Sequence, residues 1–442
     1  MKHYRVAWTP GVPLPFSSRL DIIHDMNRFT NPLPRLLEPA ITAALQRFPV
    51  VVLTGARQTG KTTLVGTGTL AKGRIFRSFD DYDVLERALE EPDLLLQDAE
   101  QLTLDEVQRV PELLLAIKRD VDRSRKPGRF LLTGSANLLM MRRVSESLAG
   151  RAVYLTLWPM TETEKQGQPN AGPWGDWLEV PDVQAARKLA RSTKTGDCAS
   201  RVFAGGYPVP ALAEEETERT LWFDGYVRTY LERDLQDLAA ISSLADFRRL
   251  MRLAAHRVGQ MLNQSELARD AALSQATAHR YLNLLETSYQ IVRLPAFAVS
   301  RTKRLVKTPK LYWTDTGLAA HLAGLTAPAT PPSTPVPGAL LENLVLAQIL
   351  AWRETVVPRP EIHYWRTHGG IEVDFVVEQG RRLLPVEVKS GRRVRPADAR
   401  GLAAFLDDHP KSSPFGILLY GGDETLPLAE RIIAVPLGCL WR

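Results

Sequence analysis

Gly55-Ala56-Arg57-Gln58-Thr59-Gly60-Lys61-Thr62 follows the spacing Gly-x-x-x-x-Gly-Lys-Thr, between the apolar run VVVL and a helical stretch. That arrangement suits triphosphate chemistry. The glycines let the backbone curl so that its N–H groups and a helix N-terminus surround phosphate oxygens. In this reading the backbone from Gly55 to Gly60 cradles the nucleotide, Lys61 reaches the β- and γ-phosphates, and Thr62 holds a Mg2+ ion, with Thr63 in the same binding set.

Further along, the apolar run Leu102-Thr103-Leu104 ends in Asp105-Glu106. Asp105 is placed to hold the Mg2+, and Glu106 to orient or deprotonate the attacking water. This pair argues for ATP hydrolysis and not for binding alone. The run from Phe130 to Thr133 leads into Gly134-Ser135-Ala136-Asn137, where Ser135 is placed to sense the γ-phosphate. Arg151 is a candidate charge-neutralising arginine, acting in cis or on a neighbouring copy; a surface ion pair is the alternative.

These residues need a scaffold that collects strand ends. Short apolar runs at Val50 to Leu53, Ile75 to Phe79, Leu102 to Leu104, Phe130 to Thr133 and Ala152 to Leu157 alternate with helical stretches, which predicts an α/β fold with a parallel, doubly wound sheet. The Pro/Gly-rich stretch from Trp158 to Asp182 reads as an excursion or boundary. GARQTGKTTL, LDEVQ, LTGSANLL and SLAGR, followed by GGYP at Gly205 to Pro208 and YVRTYLERDL at Tyr226 to Leu235, resemble the prokaryotic AAA+-type ATPases that carry a conserved C-terminal domain. The resemblance covers Pro34 to Ser390 and implies a P-loop ATPase that binds and hydrolyses ATP.

Between Ala245 and Leu262 the apolar residues recur at helical spacing, Asn263 with Glu266 opens a short helix, and Ser274 caps a third. In the third, Tyr281, Leu284 and Leu285 face inward, while Gln275, Thr277, His279 and Arg280 point out. The spacing resembles a winged helix, whose third helix can enter the DNA major groove. Arg301, Lys303, Arg304, Lys307 and Lys310 follow with no acid among them, a strip able to neutralise phosphates. Winged helices also serve as protein contacts, so a protein partner stays open beside DNA.

In the last stretch, Glu372 and Asp374 alternate with Ile371, Val373, Phe375 and Val377, and Glu387 and Lys389 alternate with Val386 and Val388. Gly380-Arg381 suits a two-residue type II′ hairpin turn. The resulting register sets Asp374 opposite Glu387 and Glu372 opposite Lys389. Like charges across a ladder repel unless a shared cation lies between them, and Glu342 on the preceding helix is a third oxygen donor. D-x(12)-E-x-K with an upstream acid resembles the PD-(D/E)xK nucleases. That resemblance implies Mg2+ or Mn2+ on Asp374, Glu387 and Glu342, with Lys389 orienting water. The alternative is that Glu372 and Lys389 simply pair, with Asp374 and Glu387 solvated or hydrogen-bonded and no metal.

At 442 residues the chain has room for about three domains, and 44% hydrophobic with 24% charged residues excludes a disordered or collagenous chain. The expected division is 34–165 for the P-loop ATPase domain, 166–240 for a helical linker, and 241–326 for the winged-helix-like domain. A Pro-rich linker at 327–338 and a restriction-endonuclease-like α/β domain at 339–442 complete it. The net charge of +6 permits a polyanionic partner. A homo-oligomer is compatible with an arginine acting in trans. No apolar run is long enough to span a membrane, the N-terminal segment lacks a secretory core, and Cys198 and Cys439 read as reduced thiols, so a cytoplasmic location is expected.

Overall fold

The expected parallel sheet surrounds the phosphate loop in the computed structural model, which describes residues 32–134, 148–190, 192–234, 241, 243–326 and 337–442, the side chains at 232–234, 301, 303 and 305 excepted. Helix α1 (Glu38–Leu45) leads into β1 (Val50–Thr54), and α2 (Lys61–Gly66) follows the loop. Then come β2 (Ile75–Ser78), α3 (Tyr82–Glu90), β3 (Leu102–Asp105), α4 (Leu113–Arg123), β4 (Phe130–Thr133) and β5 (Ala152–Thr156). All pairings are parallel, in the order β2-β3-β4-β1-β5. This fits a P-loop NTPase sheet. β1 is continuously apolar because both of its faces are covered: Val50 and Val52 pack with Leu114 and Ile117 of α4, Val51 and Leu53 with Ile41 of α1. β4 lies between β1 and β3, which brings Thr133 at its end between the phosphate loop and the acids of β3.

The stretch after β5 is no excursion. Trp174 and Trp177 are fully buried against one another, edge to face at 5.6 Å. The polar run Thr161 to Glu164 is buried as well, held by a capping box in which Thr161 and Glu164 satisfy each other's backbone. The burial of two indoles, several kcal/mol of apolar transfer, outweighs the local turn chemistry that marks the segment as a boundary.

The middle of the chain holds α5 (Cys198–Ala204), α6 (Glu216–Tyr226), which continues as a wide π turn over Val227–Asp234, α7 (Leu244–Ala255), α8 (Gln264–Asp270) and α9 (Gln275–Thr287). Helix α7 stops earlier than its apolar spacing predicts, because Gly259 takes a left-handed φ of 74° and donates to Leu311 O. Asn263 and Ser274 cap α8 and α9 as expected. Strand β6 (Ile291–Leu294), α10 (Arg301–Val306), β7 (Lys310–Trp313) and α11 (Thr316–Leu322) follow, with β6 and β7 antiparallel. Residues 327–336, most of the expected Pro-rich linker, lie outside the described residues, as does the N-terminal segment.

After α12 (Gly338–Arg353) come β8 (Glu361–Arg366), β9 (Glu372–Gln379), β10 (Arg382–Lys389), α13 (Arg400–Asp408), β11 (Gly416–Tyr420), β12 (Leu426–Ala429) and β13 (Ile432–Pro436). They form a mixed sheet of order β12-β13-β11-β10-β9-β8, with α12 and α13 packed on it. The hairpin register from Arg382↔Gln379 to Val386↔Phe375 is the one the turn predicts, and Gly380 has φ 64°. β12 and β13 carry no alternation to announce them. β13 is an interior strand buried along its whole length.

Pro34–Arg442 packs as one unit, and one core runs from Ala56 of the phosphate loop through the helical middle into the C-terminal sheet. Among the described residues no helix is long and apolar enough to cross a membrane. Both cysteines are free thiols; burial pushes Cys198 up to about 11 and raises Cys439 further. Since the thiolate is the nucleophile, native protein at pH 8 is expected to resist iodoacetamide and to take up two labels once unfolded. Fast labelling of the native protein, followed by mass spectrometry, would contradict this.

Candidate functional site

The loop after β1 is shaped by two backbone demands. Gly55 has φ 142°, and a Cβ there would lie 2.3 Å from Leu157 O; Gly60 has φ 91° and caps α2. Gln58 and Glu106 are non-glycine residues held at positive φ, 66° and 58°, the kind of local strain that tertiary contacts must hold in place. The Lys61 ammonium folds back onto the loop, donating to Gly55 O at 3.0 Å and Ala56 O at 2.8 Å. Burial pushes it down to about 8, against the pull of Glu106 and Asp105.

Asp105, at the end of β3, meets the loop. Thr62 Oγ1 lies 3.1 Å from both oxygens of Asp105, and Ser78 donates to Asp105 Oδ2 at 3.3 Å. Hydroxyl and carboxylate oxygens converging on one spot suit a hard cation such as Mg2+. Thr133, which the sequence reading passed over in favour of its neighbours, is fully buried; its hydroxyl bonds Asp105 Oδ1 and accepts from the Glu106 N–H at 3.3 Å. Its place at the end of the inserted strand is visible only once the strand order is known. Ser135 lies outside the described residues.

Arg35 was also missed. From the segment before α1 it reaches the back of the loop: Nη1 donates to Thr59 O at 2.7 Å, Nη2 to Trp158 O at 2.8 Å, and Nε pairs with Glu164 at 3.1 Å. On the other side, Tyr226 donates to Arg57 O at 3.3 Å and shares a buried cluster with Tyr207 and Gln290. Tyr289 donates to Thr54 at 2.9 Å. Thus, just beyond α9, Tyr289 touches the strand that leads into the nucleotide loop, and Gln290 is linked to the loop through Tyr226. In the GGYP stretch, a Cβ on Gly205 would lie 2.4 Å from Asp315, whose carboxylate accepts from the Gly206 N–H at 2.5 Å.

For Arg151 the single chain shows the ion pair that was the alternative to a role at the phosphates. Its guanidinium pairs with Asp122 at 2.7 and 2.8 Å, and it precedes β5, at the edge of the parallel sheet opposite the strand ends that carry the phosphate loop. It does not reach the loop of its own chain.

On α9, Gln275, His279 and Arg280 are exposed, and Thr277 is half-buried against Ser274. His279 lies 3.1 Å from Gln264 of α8 and 3.0 Å from Asn283. The basic strip is broken up. Arg304 is buried, pairing with Glu378 at 2.5 Å and Glu361 at 3.3 Å, and Lys310 is buried among acids, whereas Lys307 is exposed. Arg304 is thus an internal ion-pair partner and not a surface contact. The backbone of 301 and 303 lies in α10, and the side chains of Arg301 and Lys303 are outside the described residues.

In the C-terminal hairpin, β9 holds one extra residue against β8 between Val373 and Val376. Val373 and Val376 therefore pack on one side of the sheet while Phe375 and Val377 pack on the other, with Asp374 inside the bulge. Asp374 accepts from the Val388 N–H at 2.9 Å. Glu372 does not face Lys389; it pairs with Lys310 at 2.5 Å, and Lys389 pairs with Glu387 at 2.6 Å. Burial first, then Asp374, pushes Glu342 up to about 7 and Glu387 up to about 8; burial also raises Asp374. A separate group, Glu361, His363 and Glu378, also brings ligand atoms together, but the Arg304 guanidinium already sits on it, 3.2 Å from His363.

Profiles of known domain families match three stretches: one described as "AAA domain" over residues 47–165, and domains of unknown function DUF8612 over 195–329 and DUF4143 over 337–440. Uncharacterized proteins of Mycobacterium tuberculosis and Mycobacterium bovis are each 32% identical over 435 residues, covering 97% of this chain and 90% of theirs. One from Haemophilus influenzae is 19% identical over 363 residues, 77% of this chain and 82% of its own. A solved Walker-type ATPase of Pyrococcus abyssi aligns with TM-score 0.37 and 14% identity over 64% of this chain and 94% of that one. Sharing 32% identity with the mycobacterial proteins along nearly its whole length, and joining an AAA domain to a C-terminal DUF4143 domain, the chain belongs to their family of P-loop ATPases.

Proposed function

We propose that the protein is a Mg2+-dependent ATP hydrolase acting on DNA. The observation that carries the ATPase part is the meeting of Lys61, Thr62, Asp105, Glu106 and Thr133 at the C-terminal edge of one parallel sheet. Thr62 and Asp105 are the residues to hold Mg2+, which neutralises phosphate charge when bound. Lys61 leaves its two carbonyl partners for the nucleotide's phosphates, and Glu106 accepts the proton of the attacking water. Thr133 holds Asp105 and the Glu106 backbone in register.

Action on DNA rests on α7 to α9 and the β6–β7 hairpin, read as a winged helix whose exposed face carries Gln275, His279 and Arg280. Tyr289 gives that segment direct contact with Thr54 of β1, and Gln290 reaches the nucleotide loop through Tyr226, which donates to Arg57 O. The test is the ATPase rate with and without single-stranded, duplex and branched DNA; no response to any of them would remove DNA from the proposal. Neutralising Arg280 and Lys307 together is expected to weaken binding and flatten its salt dependence by up to about 1.8 units, since each lost phosphate contact removes about 0.9. An unchanged slope would mean that DNA lies elsewhere.

A second reading has one observation in its favour. The C-terminal domain, read as restriction-endonuclease-like, would cut DNA with metal on Glu342, Asp374 and Glu387 and with Lys389 orienting water. Lys310 already lies among these acids. This favours a nucleotide-switched binding protein whose nuclease-like fold does not cleave.

A further inference from the structure

We infer that Lys310 is the resident cation of the acidic hairpin site and keeps divalent metal out of it. This rests on the reading of Glu342, Asp374 and Glu387 as a nuclease-like ligand set.

Lys310 is the first residue of β7. It pairs with Leu294 of β6 and bridges to Met261, so its backbone is held from both sides. Its side chain is 3% exposed, and Nζ lies 2.5 Å from Glu372 Oε1, 3.0 Å from Glu342 Oε1 and 3.7 Å from Asp374 Oδ1. The same Glu342 oxygen also accepts from the Tyr312 hydroxyl. Two of the three ligand carboxylates, Glu342 and Asp374, are therefore turned to the Lys310 ammonium. The third, Glu387, gives Oε1 to Lys389, and its buried Oε2 has no hydrogen-bond partner.

A divalent ion drawn to Glu342 and Asp374 would have to displace an ammonium whose side chain is almost wholly buried. Stripping a buried ion of its partners costs several kcal/mol. With the lysine charge removed the balance reverses: the acids repel one another, and a hard cation with oxygen ligands relieves that repulsion. β7 belongs to the hairpin that follows α9, so the lysine also ties the three-helix segment to the C-terminal sheet. Withdrawing that strand would open the site.

The test is a Mn2+ titration of the full-length, nucleotide-free chain, read by electron paramagnetic resonance of free Mn2+ and by melting temperature. Wild type, Lys310→Met and the double variant Lys310→Met/Glu372→Gln are compared. The double variant guards against misfolding, because it also removes an unbalanced acid that is outside the ligand set. Any ion at the phosphate loop contributes equally to all three. The expected result is one further Mn2+ bound at least tenfold more tightly in the Lys310 variants than in wild type, with a Mn2+-dependent rise in melting temperature that Glu387→Gln abolishes. A wild-type protein that binds the same Asp374-dependent ion as tightly would overturn the exclusion and leave the ligand set standing. No Asp374- or Glu387-dependent ion in any variant would overturn the ligand set, and the inference with it.

Discussion

Glu106→Gln is expected to leave ATP binding intact and to lower kcat by about 10²–10⁴-fold, the range a general base contributes. The glutamine keeps the size and the hydrogen-bonding reach of Glu106 but cannot take a proton. Glu106 is fixed from two sides, by its backbone N–H on Thr133 and by the side chain of Gln108, so the substitution should not disturb the loop. Lys61→Ala is expected to behave differently, weakening nucleotide binding as well as abolishing hydrolysis, because the ammonium is the charge offered to the phosphates. Steady-state hydrolysis together with binding of a fluorescent ATP analogue separates the two. Wild-type turnover in Glu106→Gln would remove the residue from the chemistry.

Arg35→Met should cost about 3–5 kcal/mol of stability, the usual penalty for leaving one member of a buried ion pair alone. Arg35 and Glu164 are 5% and 3% exposed, so little water can reach the stranded carboxylate, although it keeps the N–H groups of Leu36 and Thr161 at 2.6 and 2.7 Å. The loop loses an anchor at the same time, since Thr59 O accepts from Arg35 at 2.7 Å. A rise in the KM for ATP should therefore accompany the loss of stability. Adding Glu164→Gln to Arg35→Met should recover much of the stability by removing the unpaired charge, yet leave the KM high, because the anchor is still absent. Denaturant unfolding and ATPase kinetics on the three proteins check this. A loss under about 1 kcal/mol in the single variant would mean that the pair is not functionally buried.

Local features were legible wherever the backbone dictates its own geometry. The five strands of the first sheet, the caps at Asn263 and Ser274, and the register of the β9–β10 hairpin follow from short-range rules. The same rules misread the segment holding Trp174 and Trp177, whose turn-rich composition is local while the core that swallows the two indoles is not. The five cations after α9 show the limit most plainly. As a string they are one basic strip, yet Arg304 and Lys310 are drawn inward by Glu378 and Glu342, residues tens of positions away.

By itself the sequence made the phosphate loop legible, because its glycine pattern, lysine and hydroxyl lie within eight residues between an apolar run and a helical stretch. It also determined that Asp374, Glu387 and Lys389 belong to one hairpin, since a two-residue turn leaves little freedom of register. Only the tertiary structure decided that Thr133 stands between loop and acids, that Arg35 braces the loop, that Arg151 pairs with Asp122, and that Lys310 lies among the acids of the C-terminal sheet. Each of these depends on strand order or on packing between segments far apart in the chain. A charged or hydroxyl side chain takes its role from whatever partner burial leaves it, and that partner is not written next to it.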